Sequence, residues 1–332
     1  MSARSVVPGS DFWHEAFAMQ GAVAVRLLPR MLVFALAAVA SVVVHQRAPF
    51  TALRPEPVEA SAVVLGLLLV FRTTAGYARW WEGRTLWGGI VNQSRNLTVS
   101  AVAYGPADAA WRQAVTRWVA VFAHVTRRSL RAERTLPEVV TLVGALDAAA
   151  VARAEHMPSY ASARLAVLLR DARDQHRMDP FAFVQLDRER ASLLEHAGGC
   201  ERILATPIPS VYSLATRSFI AVYLLALPLA LVGSLGWFAP VAALFITYPI
   251  LAVEQIGAEL QIPFATTSLS HLPLDEICGT IERNVLAAAA GVATERAPSG
   301  AMDSTRAEPQ SPGPGELALA GRGAAQGQRG TT

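Results

Sequence analysis

The stretch SAVVLGLLLVFRTTAGYARWWEGRTLWGGIVNQSRNL, residues 61–97, decides the architecture of this chain. The chain is free of charge from Ala60 to Phe71, whereas the rest of the stretch is dense in arginine and tryptophan. A charge-free run of this length is too short to cross the hydrocarbon core of a bilayer alone, which is roughly 30 Å thick. Such a helix can span only if its charged continuation lies in protein or water rather than in lipid. The stretch therefore predicts a helix that lines an aqueous or protein-lined region.

The composition is that of a membrane protein with a large polar part. Of the 332 residues, 52% are hydrophobic and 17% are charged, against roughly 25% charged in an ordinary soluble protein. The formal net charge of +3 gives no electrostatic basis for binding nucleic acid. The chain contains no HExxH, GxSxG or glycine-rich phosphate loop, so nothing indicates an enzyme. The isolated Cys200 and Cys278 are expected to be small buried apolar side chains and not metal ligands.

Two further charge-free runs predict membrane helices. Residues 31–46 form one of them, with arginines on both sides. Residues 218–253 form the other, and the sequence GSLGWFAP interrupts it in the middle, which predicts two helices joined by a tight turn. The expected membrane helices are listed by number: about 27–47, 57–77, 211–232 and 238–258.

The remainder of the chain divides into a helical block and a tail. Val115, Val119, Phe122 and Val125 recur at spacings of three and four in a region rich in Arg, Asp and Glu, which is typical of a soluble amphipathic helix. A second helix is predicted from Asp179-Pro180 to Gly198-Gly199. The expected cytosolic helical regions are about 85–205 and 259–290. Residues 291–332 are rich in Gly, Pro, Ser, Ala and Gln, which predicts a disordered tail.

The charge pattern also predicts orientation and ion pairs. An even number of spans puts both termini on one side of the membrane, and the arginine-rich middle block predicts that this side is cytoplasmic. Arg72, Arg79 and Arg84 are expected to pair with acids inside the bundle, since an unpaired buried charge is costly. The candidate acids are Glu82, Glu254 and Glu259.

Val63, Leu67 and Phe71 are the candidate functional residues. They lie at positions i, i+4 and i+8, so they stack along one face of a helix. Spacing alone leaves two interpretations open. The face may pack against a neighbouring helix, or several copies of it may form a hydrophobic constriction around a pore.

Three blocks of sequence resemble the bestrophin family, specifically its bacterial branch. The first is FRTTAGYARWWEGRTLWG at residues 71–88. The second is TPIPSVYSLATRSFIAVYLLALPLALVGSLGWFAP, which begins at Thr206, and the third is EQIGAELQIPFATTSLSHLPLDEICGTIERNVL at 254–286. The blocks occur in the family's order, and the resemblance covers about residues 10–290.

The resemblance implies an all-α membrane protein with four transmembrane helices and a cytosolic helical domain in each subunit. The family assembles as a homopentamer around a central pore. Its hydrophobic neck matches Val63, Leu67 and Phe71, which favours the constriction over simple packing. A second restriction at the cytosolic exit matches Phe181.

The resemblance also implies a function, a location and partners. It predicts a channel that conducts chloride and other small anions passively across the bacterial inner membrane. The expected partners of each subunit are other copies of the same chain and the lipid bilayer. No enzyme activity is expected. The aliphatic Val63 and Leu67 supply no anion preference of their own, so a cation channel of the same architecture remains an alternative. A non-conducting membrane scaffold or enzyme that reuses the fold is another.

The sequence departs from the calcium clasp of the animal members. Thr267 and Ser270 stand where carboxylates would be needed, Ile262 replaces a polar residue, and His271 precedes LPLD. Because calcium prefers several oxygen ligands with carboxylates prominent among them, no calcium activation and no cofactor are expected.

Overall fold

The computed structural model of the chain describes the backbone of residues 12–175 and 177–295, and the side chains of residues 25–175 and 177–290. The described residues are helical and contain no β-strand, so the all-α prediction is confirmed. The helices are α1 Phe12–Arg47, α2 Pro55–Tyr104, α3 Ala109–Leu130, α4 Pro137–Val143, α5 Ala145–Arg153, α6 Met157–Asp174, α7 Pro180–Ala205, α8 Ser210–Leu235, α9 Ala239–Glu259 and α10 Leu274–Glu295.

Three stretches of the described residues are long and apolar enough to cross a membrane. They are Val25–Arg47, Pro49–Tyr104 and Ser210–Glu259. The third stretch contains both α8 and α9, which are joined by a single 3-10 turn. The predicted break within the long apolar run is therefore present. Gly236 begins that turn with φ +53°, a left-handed conformation that glycine adopts without steric cost.

The long helix α2 connects two separate hydrophobic cores. It runs for 50 residues without a break, a length of about 75 Å. Leu65 and Leu69 pack in an apolar core with α1, α8 and α9. Trp87 and Leu97 lie fully buried in a second core, which is formed mainly with α3, α6, α7 and α10. The predicted membrane segment 57–77 is thus only the first half of a helix that continues into the second core.

Helix α3 lies at the centre of the second core. Val115, Val119, Phe122 and Val125 are all fully buried there, as predicted. The predicted amphipathic character is wrong for the second half of the helix, because every residue from Trp118 to Arg127 is buried. Asp108 caps the start of the helix, and its carboxylate accepts hydrogen bonds from the backbone N–H groups of Ala110 and Trp111. This contact satisfies N–H groups that the first helical turn otherwise leaves without partners.

Helix α7 begins as predicted but ends later. Asp179 caps it and Pro180 is its first residue. The predicted end at Gly198-Gly199 is wrong, because the helix continues to Ala205. Gly199 is instead a point of close approach to α2, since a Cβ atom there would lie 2.7 Å from Cδ2 of Leu86.

Helix α10 crosses the predicted boundary between the channel domain and the tail at residue 290. Within the described residues, one compact unit ends at Thr294, and α10 continues past the predicted limit of 290 to Glu295. Leu274, Cys278 and Ile281 of α10 are buried in the second core. The rest of the predicted tail, from residue 296, lies outside the described residues, as does His176.

Candidate functional site

Helix α2 carries an exposed apolar face along its first half. The residues are 77% exposed at Val63, 55% at Leu67 and 56% at Phe71. Leu65 and Leu69, on the opposite side, are 2% and 7% exposed and pack in the first core. The three predicted neck residues therefore share one face of α2, and this face does not pack into the core of its own subunit.

The same face changes character as α2 continues. Thr74, Tyr77, Trp81 and Arg84 extend the exposed stripe at helical spacing. The Tyr77 and Trp81 rings stack with centroids 6.3 Å apart. Lipid tails can cover the first part of the stripe, but they cannot solvate the arginine at its far end. The stripe therefore passes from an apolar environment into one that accepts charge.

Arg72 lies on the side of α2 that faces the bundle and is almost fully buried. Its Nη2 is 3.0 Å from Oε1 of Glu254 on α9, so the expected pairing is confirmed for this arginine. Oε1 of Glu254 also accepts a hydrogen bond from Nε of Arg217 at 2.9 Å. Its Oε2 lies 3.6 Å from Nη1 of Arg30. One buried carboxylate thus holds arginines from α1, α2 and α8.

The expected acid partner is wrong for Arg79. Its guanidinium donates to the backbone carbonyl oxygens of Ile203 and Thr206, the latter at 2.7 Å, and to that of Gln261 at 3.3 Å. The physical reason is that the end of α7 leaves carbonyl groups without helical N–H partners. Arg84 forms no salt bridge within the described part of the chain.

The loop after α9 is held by one acid and one arginine. The Oε2 atom of Glu259 accepts a hydrogen bond from the backbone N–H of Leu269 at 3.1 Å, and its Oε1 is 2.9 Å from Nη1 of Arg26. Nη2 of the same arginine donates to the carbonyl oxygen of Thr267 at 2.9 Å. The sequence analysis did not predict the contact between Arg26 and this loop. The position of Arg26 just before the first apolar run was the only feature of the sequence that indicated a role for it.

The residues at the positions of the calcium clasp make hydrogen bonds within the chain. Ile262 is exposed, and Ser270 donates its backbone N–H to Oγ of Ser268 at 3.2 Å. Nδ1 of His271 lies 2.7 Å from the Ser268 carbonyl oxygen. The Thr267 carbonyl oxygen accepts a hydrogen bond from the Arg26 guanidinium. Within the described residues, no group of three or more His, Cys, Asp or Glu side chains is arranged to hold a metal ion.

Phe181 lies at the first turn of α7 and is strongly exposed. Together with Tyr104 at the end of α2, it lines a cleft of about 370 Å³. Asp179 and Gln185 supply the polar part of the lining. The structure thus places Phe181 at the end of α2 remote from Val63, and not against the three predicted neck residues.

Comparison with known proteins shows the family. The family model described as "Bacterial/Fungal Bestrophin protein" matches residues 4–287. The voltage-dependent anion channel-forming protein of Nostoc sp. is 31% identical over 278 residues, which cover 81% of this chain and 89% of that protein. A protein of the same description from Ralstonia nicotianae is 32% identical over 266 residues, which cover 79% of this chain and 87% of that protein.

The fold comparison agrees with the sequence comparison. A crystal structure of a bacterial bestrophin homologue from Klebsiella pneumoniae superposes with a TM-score of 0.75 at 24% identity. The superposition covers 80% of this chain and 98% of that structure. The matched family residues contain α2 with its exposed stripe and the Arg72–Glu254 pair. The chain therefore belongs to the bacterial and fungal bestrophin family.

Proposed function

We propose that this chain forms a homopentameric channel that conducts chloride and other small anions passively across the bacterial inner membrane. Helices α1, α2, α8 and α9 would cross the bilayer, and both termini would lie in the cytoplasm. Two observations support the proposal. Curated relatives at 31% and 32% identity are named as anion channel-forming proteins, and α2 carries an exposed stripe that its own subunit does not cover.

The exposed stripe is the observation that carries the proposal. Val63, Leu67 and Phe71 would face the symmetry axis, where copies of α2 from neighbouring subunits form a narrow apolar neck. Such a constriction controls the passage of ions because a narrow apolar neck loses its water easily. The alternative that the stripe merely faces lipid explains Val63 but not the arginine at the other end of the same face.

The bundle also supports the membrane placement. Arg30, Arg72, Arg217 and Glu254 each directly flank a charge-free run, and they meet in one cluster. The opposite ends of α1 and α2 are marked by Arg47 and Arg54. Between these charged levels lie the charge-free runs 31–46, 60–71 and 218–253, which suit a bilayer core.

The ion preference rests on Phe71 and on the relatives. The edges of an aromatic ring are electropositive, so a ring of Phe71 side chains would favour anions over cations. Val63 and Leu67 add no preference, which leaves a cation channel of the same architecture as the alternative to be tested.

The test is a planar bilayer recording of the purified protein in asymmetric KCl. A reversal potential near the chloride equilibrium potential is expected. A reversal potential near that of potassium would make the protein a cation channel. The absence of current from correctly assembled oligomers, over a range of voltage and pH, would favour a non-conducting scaffold or enzyme.

We also infer that conduction needs no calcium ion or other cofactor. The inference is supported by Arg26, whose guanidinium binds the Thr267 carbonyl, and by the absence of carboxylates at Thr267 and Ser270. A cation placed in this loop would meet the positive charge of Arg26 directly.

A further inference from the structure

The arginine cluster around Glu254 carries more positive charge than its acids neutralise. Glu254 is shared by Arg30, Arg72 and Arg217, and the adjacent Glu259 pairs with Arg26. Four arginines therefore share two carboxylates. The Nε and Nη1 atoms of the buried Arg72 make no hydrogen bond within the described residues. Because desolvated positive charge is costly without a counter-charge, this excess indicates a site that would be stabilised by an anion.

The excess charge is accessible on one side of the cluster. Arg72 and Glu254 have side chains that are 2% and 4% exposed. Arg30 and Arg217 are 50% and 56% exposed. Arg217 uses only its Nε atom to bind Glu254, which leaves the two Nη groups available. Nη1 of Arg30 also donates to Oε1 of Gln255 at 3.1 Å. Glu254 thus fixes two guanidinium groups whose remaining Nη donors can face the exposed side.

A cavity of about 280 Å³ lies beside these two guanidinium groups, and Arg30, Arg217 and Glu254 line its polar side. The other walls are apolar and are formed by side chains that include Phe34, Ile220 and Leu251. Phe34 follows Arg30 by one helical turn, Ile220 follows Arg217 by about one turn, and Leu251 precedes Glu254 by about one turn.

The register of these residues sets the cavity at a membrane boundary. Arg30, Arg217 and Glu254 directly flank the charge-free runs 31–46 and 218–253. Each apolar wall residue lies within the corresponding run, one turn closer to the bilayer centre. The cavity therefore has a cationic mouth at the level of lipid headgroups and an apolar floor at the level of acyl chains.

We propose that this cavity binds one anionic phospholipid. Its phosphate would lie between the guanidinium groups of Arg30 and Arg217, and its acyl chain would lie against Phe34, Ile220 and Leu251. Guanidinium groups bind phosphate with paired, charge-assisted hydrogen bonds. Basic pockets between membrane helices on the cytoplasmic side suit anionic headgroups. The amphipathic lining favours a lipid over a free anion, because a free anion gains nothing from the apolar walls.

The test is native mass spectrometry of the purified, delipidated oligomer. Dioleoylphosphatidylglycerol and dioleoylphosphatidylcholine, which have the same acyl chains, are titrated separately. The wild type should retain phosphatidylglycerol at least about tenfold more tightly than phosphatidylcholine, a difference of about 1.4 kcal/mol. The double variant Arg30→Gln, Arg217→Gln should lose this preference. It keeps the Arg72–Glu254 pair, so its fold is expected to survive.

Two controls decide the outcome. Arg54→Gln removes an exposed arginine at the opposite end of the membrane helices and should leave the preference unchanged. The single variant Arg217→Lys, with Arg30 unchanged, keeps the positive charge. It should therefore retain part of the preference that the glutamine variants lose. Should the double variant fail to assemble, the single Arg217→Gln variant is compared with Arg217→Lys in the same titration.

Three results would overturn the proposal. Equal retention of the two lipids would show that no headgroup site exists. An equal loss of preference in Arg54→Gln would show general charge attraction. Displacement of phosphatidylglycerol by millimolar inorganic phosphate would assign the cluster to a free oxyanion. Since the measurement records lipid retention and not ion current, its outcome is independent of the proposed conduction.

Discussion

At the scale of single residues, Leu65 and Leu67 are the same side chain two positions apart on α2, yet they lie in opposite environments. Leu65 is buried in the core of the helix bundle, whereas Leu67 is exposed on the proposed neck. Leu67→Ala should widen the neck and raise the single-channel conductance without lowering the melting temperature. Leu65→Ala should leave a cavity that costs about 2–3 kcal/mol, with little change in conductance. Bilayer recording and thermal unfolding of both variants measure the two effects.

The reverse pattern would contradict the assignment of this face. Unchanged current in Leu67→Ala and in the triple variant of Val63, Leu67 and Phe71 to Ala would remove these residues from the conduction pathway. A lower melting temperature for Leu67→Ala than for Leu65→Ala would indicate that the exposed stripe is a packing surface.

Arg26 gives a second prediction at the residue scale. Because its guanidinium lies against the Thr267 carbonyl at 2.9 Å, calcium ions should neither bind the loop nor change the current. Recording in millimolar calcium and then in chelator should give the same open probability. The variant Arg26→Gln, which removes the positive charge, is the control for latent binding. A reversible change of wild-type current with calcium would contradict the prediction.

The sequence revealed some of these residue roles and not others. The spacing of Val63, Leu67 and Phe71 was visible in the sequence, and so was the need of Arg72 for an acid. The sequence could not show that Arg79 would bind backbone carbonyls, because those carbonyls become available only where α7 ends. The predicted end of α7 is wrong because a glycine pair, which predicts a helix end, also permits close helix packing.

At the scale of helices, Gly76 allows α2 to approach α9 closely. A Cβ atom at Gly76 would lie 2.7 Å from the carbonyl oxygen of Gly257, too close for any real contact. Small residues at such crossings are the usual means of packing membrane helices. Gly76→Ala should therefore force the helices apart and destabilise the protein by about 1–3 kcal/mol.

Gly66 is the matched control on the same helix, because a Cβ atom there would meet nothing within 4 Å. Gly66→Ala should be neutral or slightly stabilising, since alanine favours the helix by about 1 kcal/mol over glycine. Thermal unfolding of the two variants in the same detergent compares them. Equal melting temperatures would show that the crossing relaxes without cost.

Helices α3 and α4 are joined by an ion-pair cluster that should make stability depend on pH. Glu138 on α4 lies 2.7 Å from Nη2 of Arg127 and 2.6 Å from Nη2 of Arg128. Burial opposes ionisation of this carboxyl, but the hydrogen bonds from the arginines outweigh it and lower its pKa from 4.5 to about 2. A carboxylate with a lowered pKa stabilises the fold above its unfolded pKa and loses that contribution as the pH falls.

Glu138→Gln should therefore melt at a lower temperature than the wild type at pH 7. The difference should persist down to about pH 4.5 and then shrink toward pH 2. Asp171→Asn is the control, because Asp171 forms an exposed ion pair with its neighbour Arg170, and such pairs contribute little. A gap between Glu138→Gln and wild type that stays constant down to pH 2 would contradict the assigned cause.

At the scale of the whole molecule, α2 is one rigid element shared by the apolar bundle and the second core. Its length of about 75 Å exceeds the thickness of a bilayer, so the helix would carry the neck and the cytosolic block together. The sequence predicted a helix with an apolar half and a charged continuation, but it did not show that this helix runs without a break to Tyr104. Periodicity also cannot count subunits, and the number five comes from the family resemblance alone.

The last prediction tests that number with thiol chemistry. The native Cys200 and Cys278 are fully buried, and burial raises the pKa of each thiol to about 12. Neither thiol should therefore react with maleimides in the native state. A cysteine introduced as Leu67→Cys should face the same residue of adjacent subunits across the neck, so a short bis-maleimide at limiting concentration should link neighbours in pairs.

A denaturing gel of the crosslinked protein then shows whether the number of subunits in the ring is odd or even. Pairing around a closed ring of five leaves about one subunit in five without a partner, whereas a ring of four leaves none. We expect the monomer fraction to stop falling at about one fifth. We also expect a native mass near that of five chains of 35.4 kDa. Leu65→Cys, which faces its own bundle, should give no dimer. Complete dimerisation of Leu67→Cys would require an even ring, and equal crosslinking of Leu65→Cys would place the wrong face of α2 toward the axis.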